Sequence, residues 1–175
     1  MSVVLEALEA VAAVEAVEAV PAARFRAALR RHAAGVAVVT GIGPAGPAGV
    51  TVTSFASASL EPPLVSFSLD AGSTTWAALR TADAFGVSVL TGEQRGVAER
   101  FATKGVDRFA GRSWRIGPLG VPLLSGAAAH LACLRTDVVE IGDHVLVVGL
   151  VRHAEAFGGA PLLYHDAGYG GLSAS

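Results

Sequence analysis

Over most of this chain apolar and polar positions alternate with a period of two, the pattern of strands that bury one face. The clearest run is residues 49–69, GVTVTSFASASLEPPLVSFSL. Val50 and Val52 alternate with Thr51 and Thr53, so hydroxyls gather on one face of the predicted strand. Ser54, Ser57 and Ser59 follow in a segment of small residues, and Pro62 and Pro63 break the path. Alternation then resumes, with Val65, Phe67 and Leu69 on one side and Ser66 and Ser68 on the other. Two strands thus flank a loop with many donors and little bulk. Such a loop lets a flat polar ligand approach the backbone, because small side chains leave peptide N–H groups reachable. A polar crossover in a β protein fits the same residues.

Further strands are predicted over residues 36–40, 85–90, 128–140, 144–156 and 162–165. Ile141-Gly142-Asp143 is a tight-turn signal, so the two long runs pair as a hairpin with His144 at its mouth. Residues 109–118 read as irregular, anchored by Trp114. Helical patterns occupy residues 22–33, 76–80 and 93–103. In the first of these Phe25, Ala28, Leu29 and His32 share a side, and Gly35 closes it. Residues 3–20 place apolar side chains three apart, so their stripe winds around a helix and predicts an appendage ended by Pro21. Six or seven strands, three or four helices and short hairpin connections predict a mostly β protein with flanking helices, built as an antiparallel barrel.

Gly41-Ile42-Gly43-Pro44-Ala45-Gly46 satisfies the glycine spacing of a dinucleotide-binding turn. That turn needs a helix directly downstream to receive the pyrophosphate, whereas Gly49 to Thr53 reads as a strand. A Gly/Pro-rich hairpin is the expectation. Ser73 or Thr74 can cap the helix that follows, so hydroxyls and free N–H groups converge there as an anion site or as an ordinary cap. Arg100 and Lys104, four apart, suit either a joint phosphate contact or complementation of a helix end.

Composition narrows the classes. The 175 residues suffice for one cored domain, 52% are hydrophobic and the net charge is −2, so no nucleic-acid partner is expected. A single cysteine, Cys133, excludes an internal disulfide and a multi-cysteine metal site, and no metal is expected. No basic leader or long uninterrupted apolar run is present, so a cytoplasmic chain without a membrane partner is expected.

The stretches FRAALRRHAAGVAVVT, GVTVTSFASASLEPPLVSFSL, STTW, FGVSVL, AERFATKGVDRF, GDH and PLLY, in this order and spacing, resemble the flavin reductase-like family. The resemblance implies an FMN-binding split β-barrel over residues 22–172, with residues 1–21 as a helical extension. It implies an NAD(P)H:flavin oxidoreductase that reduces FMN, or FAD, and supplies reduced flavin to a partner monooxygenase or halogenase. By the same resemblance, Thr51, Val52, Thr53, Ser54, Ser57 and Ser59 line the flavin's ring and ribityl chain. Ser73, Thr74 and Thr75 hold its phosphate, and Arg100, Phe101 and Lys104 lie on the neighbouring helix. His144 meets the nicotinamide, and Tyr169 stands near the same cleft.

A homodimer is implied as well. Hydride transfer between two stacked cofactor rings needs positioning more than ionisable groups, so His144 is expected to hydrogen-bond the nicotinamide amide or the flavin edge. Few cations at the phosphate suit a flavin that must leave after reduction. The family often has valine where Ala58 stands and a basic residue where Gly170 stands, which leaves NADH over NADPH a lean. A non-catalytic flavin-binding barrel, or an oxidase with tightly held FMN, are the other readings of the same pattern.

Overall fold

The computed structural model describes residues 18–172. The helix expected over residues 3–20 lies outside them, apart from Glu18 to Val20, which form no regular element. The chain divides after His32 into two compact units. In the first, α1 (Ala22–Leu29) starts directly after Pro21. It ends four residues earlier than its pattern predicted. Arg31 N–H bonds Ala28 O and His32 N–H bonds Leu29 O, tightening the last turn into i to i+3 geometry. Phe25 and Leu29 are about half exposed within this unit.

From Ala33 onward the elements run β1 (Ala34–Gly35), β2 (Ala37–Gly43), β3 (Gly46–Val52), β4 (Ala56–Ser59), β5 (Leu64–Asp70), α2 (Thr74–Leu79), β6 (Ala84–Val89), α3 (Arg95–Ala102), β7 (Trp114–Ile116), β8 (Pro122–Leu124), β9 (Ala129–Ile141), β10 (His144–Ala156), β11 (Leu163–His165) and β12 (Gly168–Gly170). Seven strands form one antiparallel sheet in the order β3-β2-β6-β9-β10-β5-β4, with β1-β11-β12 and β7-β8 as small sheets beside it. The strands beyond the expected six or seven are two to four residues long, too short for a period to show. Gly35, expected as a helix stop, pairs with Leu163 in β1, and Trp114, expected in an irregular loop, opens β7. The supposed serine loop contains β4, an edge strand paired with β5 and followed by a cis Glu61–Pro62 bond.

Two hairpins match their turn chemistry. Gly43 pairs with Gly46 across Pro44-Ala45, so the glycine-rich run is a β2–β3 hairpin and not a nucleotide turn. His144 pairs with Ile141 across Gly142-Asp143, and Gly142 has φ 59°, as the first position of a primed hairpin turn requires.

The sheet curls because its inner face is apolar along six strands. Val39, Val52, Val65, Phe67, Phe85, Cys133 and Val147 are all within 5% of full burial and meet in one cluster, where Phe67 and Phe85 pack edge to face at 5.0 Å. Cys133 is so enclosed that burial pushes its thiol up to about 12. The opposite face of β2 is also buried: Val38, with Val36 just before the strand, packs with Leu90, Phe109, Leu124, Leu162 and with Ala98 and Phe101 of α3. Strand β2 is therefore buried from Ala37 to Gly41, as a strand covered on both faces is, and its one polar side chain there, Thr40, donates to Gly86 O at 3.4 Å.

One polar group is left incomplete in this packing. His130 on β9 is 4% exposed, and its Nε2 lies 2.7 Å from Leu124 O, to which it donates. Its Nδ1 is buried without a hydrogen-bond partner. Burial lowers the imidazole pKa, opposed by the Leu124 carbonyl and by Glu155 and assisted by Arg115 and His153. Below the ordinary value of about 6.5 the unfolded chain binds a proton that the folded chain refuses, so stability declines as pH falls through that value towards the depressed one. Urea unfolding between about pH 8 and pH 5 should show this decline, and His130→Gln, which keeps a donor for Leu124 O, should flatten it. An unchanged pH profile in that variant would show that His130 does not set it.

Candidate active site

Closing the curl brings the end of β3 against β5, and a single side chain clasps them. Ser54 Oγ accepts Ser68 N–H at 2.9 Å and donates to Ser68 O at 3.2 Å. Beside this clasp opens a cleft of about 350 Å³, within the range of small-molecule sites, about 300 to 1,000 Å³. It is lined by Val50 to Ser54, Ser68 to Asp70, Ser73 to Thr75, Ala102, Lys104 and Arg108. His144 also lines it, opposite Asp70 in the β5–β10 register.

The loop between β5 and α2 is latched in place. Asp70 Oδ1 accepts Gly72 N–H at 2.8 Å, Ser73 N–H bonds Asp70 O at 3.0 Å, and Ala71 N–H bonds Asp143 O at 3.1 Å, tying the loop to the hairpin turn. Ser73 is the N-cap of α2, its Oγ accepting Trp76 N–H at 3.0 Å. Because α2 has only six residues, its macrodipole is slight, and attraction for an anion must come from side chains.

Those side chains divide into committed and available groups. Thr51 Oγ1 donates to Ala98 O at 2.7 Å, fixing α3 against β3. Thr75 Oγ1 accepts Arg108 Nη1 at 2.7 Å. The same Nη1 donates to Gly49 O at 2.6 Å and Arg108 Nε to Thr103 O at 3.0 Å, so one guanidinium joins β3, α2 and the loop after α3. Burial lowers the pKa of Arg108, from a value high enough that it stays cationic. Thr53, Thr74 and Lys104 line the cleft with no hydrogen bond or ion pair to another described residue. His144 Nδ1 lies 2.7 Å from Asp143 Oδ1, and this bond holds the Asp143 carboxyl below its usual range. A carboxylate only accepts, so Nδ1 is the donor and the neutral ring keeps Nε2 as an acceptor.

The cleft thus gathers Thr51, Val52, Thr53, Ser54, Ser73, Thr74, Thr75, Lys104 and His144 from the expected set. Val52 contributes its backbone, since its side chain is 5% exposed in the barrel core. The other expected residues lie elsewhere. Ser57 and Ser59 sit on edge strand β4, paired with Val65 and Leu64. Phe101 is fully buried beneath α3, edge to face with Phe109 at 5.1 Å. Arg100 spends its donors on backbone: Nε on Asp107 O at 3.1 Å and Arg108 O at 3.2 Å, Nη2 on Asp107 O at 2.5 Å. It shapes the loop that carries Arg108 and does not face the cleft. Tyr169 packs against Tyr164 at 5.2 Å in the small sheet, its pKa raised by burial and then by Tyr164 and Glu99. Arg108 was missed because spacing along a helix favoured Arg100 and Lys104, whereas α3 ends at Ala102 and the following loop turns Arg108 inward.

Comparison with known proteins gives a consistent picture. Residues 29–173 match the family described as the flavin reductase like domain. The NADH:FMN oxidoreductase of Rhodococcus qingshengii is 44% identical over 151 residues, covering 83% of this chain and 79% of that protein. The flavin-dependent monooxygenase reductase subunit HsaB of Rhodococcus jostii is 39% identical over 150 residues, covering 85% of this chain and 77% of that one. Among solved structures, the NADH:FAD oxidoreductase SgcE6 of Streptomyces globisporus, in complex with NAD and FAD fragments, superposes with TM-score 0.83 at 33% identity, covering 90% of this chain and 98% of that one.

The triple role of Arg108 is testable by itself. A lysine keeps the charge but cannot present a planar fork to Gly49 O, Thr75 Oγ1 and Thr103 O together. Arg108→Lys should lower unfolding stability by about 1 to 3 kcal/mol in urea titrations, from acceptors left partly unpaired. A shift near zero would mean that these bonds do not hold the wall.

Proposed function

This chain belongs to the flavin reductase like domain family, and from that premise we propose that its cleft binds the flavin that the chain reduces with NADH. The protein is an NAD(P)H-dependent flavin reductase on a split β-barrel, with FMN or FAD as the flavin. What supports the site assignment is the make-up of the cleft's lining: hydroxyls of Thr51, Thr53, Ser54, Ser68, Ser73, Thr74 and Thr75, two cations in Lys104 and Arg108, and one carboxylate, Asp70, whose Oδ1 is turned onto Gly72 N–H. That lining suits a flavin, a neutral ring and polyol ending in a phosphate. The donor set fits the molecule without a metal or a second anion.

A flavin held here would supply the hydride-accepting chemistry, with a dihydronicotinamide as the hydride donor. The chain's own part is positioning. The Ser54 clasp and the β3 and β5 walls fix the plane in which a flat ring can lie. Lys104 and the remaining Nη2 of Arg108 hold the phosphate by charge-assisted hydrogen bonds. His144, its ring set by Asp143, offers Nε2 to a carboxamide N–H of the incoming nicotinamide and so aligns the donor ring. No proton transfer by His144 is required. Because Lys104 is solvent exposed, its grip on phosphate is screened, which suits release of the reduced flavin to a flavin-dependent monooxygenase or halogenase. Flavin affinity of about micromolar follows, and purified protein should be pale.

With NADH and added flavin, the loss of dihydronicotinamide absorbance should be rapid and flavin-dependent. Lys104→Ala should raise the KM for FMN about tenfold and leave that for riboflavin, which lacks the phosphate, unchanged. His144→Ala should raise the KM for NADH with little effect on flavin affinity. No NADH loss with any flavin, or equal effects of Lys104→Ala on FMN and riboflavin, would overturn the assignment.

The chain works as a cytoplasmic homodimer in the same reading. The far end of the β9–β10 hairpin leaves Val138, Val139 and Ile141 at 41%, 48% and 54% exposure, an apolar arm suited to a second copy. The reductase domain comprises residues 22–172, with residues 1–21 as an appendage. Light scattering should give a dimer mass for the full chain and for a chain lacking residues 1–20, with equal turnover; a monomeric mass in active full-length protein would refute the dimer.

A further inference from the structure

Strand β8 pairs with β7 alone among the described strands, so the β7–β8 hairpin is a strap outside the main sheet. Side chains from three strands of that sheet fasten it. Thr40 of β2 shares its hydroxyl hydrogen between Gly86 O and Pro122 O, Ser88 Oγ of β6 accepts Leu124 N–H at 3.1 Å, and Nε2 of His130 on β9 donates to Leu124 O at 2.7 Å. The strap runs so close to β6 that a Cβ at Gly86 would lie 2.6 Å from Pro122 O. All three fastening side chains are buried, and His130 is the one whose charge can change near neutral pH.

The surroundings of His130 suit the neutral ring and not the cation. Its Nδ1 has no partner, and Phe157 covers the imidazole edge to face at 5.0 Å. Gly158 and Gly159 follow Phe157 at φ 90° and 99°, a backbone free to swing that ring aside. The charged groups around the imidazole are Arg115 on β7 and His153 and Glu155 on β10, while β6 and β8 carry none. Glu155 stands opposite His130 in the β9–β10 register and is loosely held, its Oε2 3.9 Å from Arg115 Nη2 and 3.8 Å from His153 Nε2. A proton on Nδ1 therefore sets a second cation beside Arg115 and makes the two compete for one carboxylate.

We propose that His130 is a proton-operated fastener of the β7–β8 strap: neutral, it keeps the strap closed, and with a proton on Nδ1 it repels Arg115, draws Glu155 away and lets the strap open as Phe157 swings out. Burial lowers the pKa of His130, so opening sets in below the ordinary histidine value of about 6.5. The strap leads to the cleft, since Trp114 of β7 pairs with Leu124 and packs on Phe109 at 5.3 Å, and Phe109 directly follows Arg108. Opening slackens that anchor, so flavin binding weakens in acid. This regulatory part rests on the flavin assignment, whereas the movement of the strap does not.

The substitution Trp76→Phe leaves Trp114 as the chain's one tryptophan and reporter of the strap. Between about pH 8 and pH 5 its emission is expected to shift to the red while far-UV circular dichroism stays constant. In this background His130→Gln, which keeps a donor for Leu124 O and takes no proton, and Arg115→Gln, at a half-exposed site the fold tolerates, should each abolish the shift. The Kd for FMN, from quenching of flavin fluorescence, should rise about tenfold more over the same range in the parent than in the His130→Gln chain. No red shift, a red shift that persists in either variant, or ellipticity lost together with it would overturn the proposal, and equal FMN curves for parent and His130→Gln would overturn its regulatory part. FMN binding absent at every pH with the red shift intact would instead sink the flavin assignment and leave the strap standing.

Discussion

The structure depends on the curl of one antiparallel sheet around an apolar core. Six strands contribute inward side chains to it, and Phe67 against Phe85 fills its widest part. Strand β10 can pass this pair only because Gly149 has no side chain, since a Cβ there would lie 2.4 Å from Phe85. The curl brings β3, an edge strand, to β5, one strand short of the other edge. The Ser54 clasp joins them, and the cleft is the space that the incomplete closure leaves open. Fold and site therefore follow from one event: apolar burial bends the sheet, and the bend makes the slot.

Charge is distributed so that structure and binding do not compete. Arg100 is consumed by the loop after α3, and Arg108 joins three segments through two of its nitrogens. Lys104 lies free of these networks. A guanidinium fork suits the structural duties because several fixed acceptors must be met together. A flexible ammonium suits a ligand that arrives and departs. In the proposed flavin site this division would ease departure of the product, because a buried, fully paired cation at the phosphate would slow release.

Much of the site was legible along the chain. The alternation of Val50 and Val52 with Thr51 and Thr53 showed which face carries hydroxyls, and the Gly-Asp turn showed that His144 stands at a hairpin mouth. Both depend on local rules, the period of a strand and the φ demanded by a tight turn. The positions that went elsewhere were judged by neighbourhood in sequence. Ser57 and Ser59 looked continuous with Ser54, yet pairing with β5 carries them to the sheet edge. Phe101 and Arg100 are close to Lys104 in number, but a helix turns them away, into the second core and onto the Asp107 carbonyl. Tyr169 belongs to a strand of three residues whose place depends on β11 alone.

By itself the amino-acid order determined the strands long enough to show a period, the two tight turns, the rejection of a nucleotide-binding loop at residues 41–46 and the hydroxyl-rich face that the cleft uses. These are properties of a few consecutive residues. Only the tertiary structure decided which strands became neighbours, where β4 and the other short strands paired, and that Arg108 instead of Arg100 reaches the cleft. Those outcomes turn either on strands too short to show a period, as β4, β7 and β12 are, or on contacts between segments tens of residues apart, as Arg108 with Gly49 and Thr75, and no local pattern records the choice.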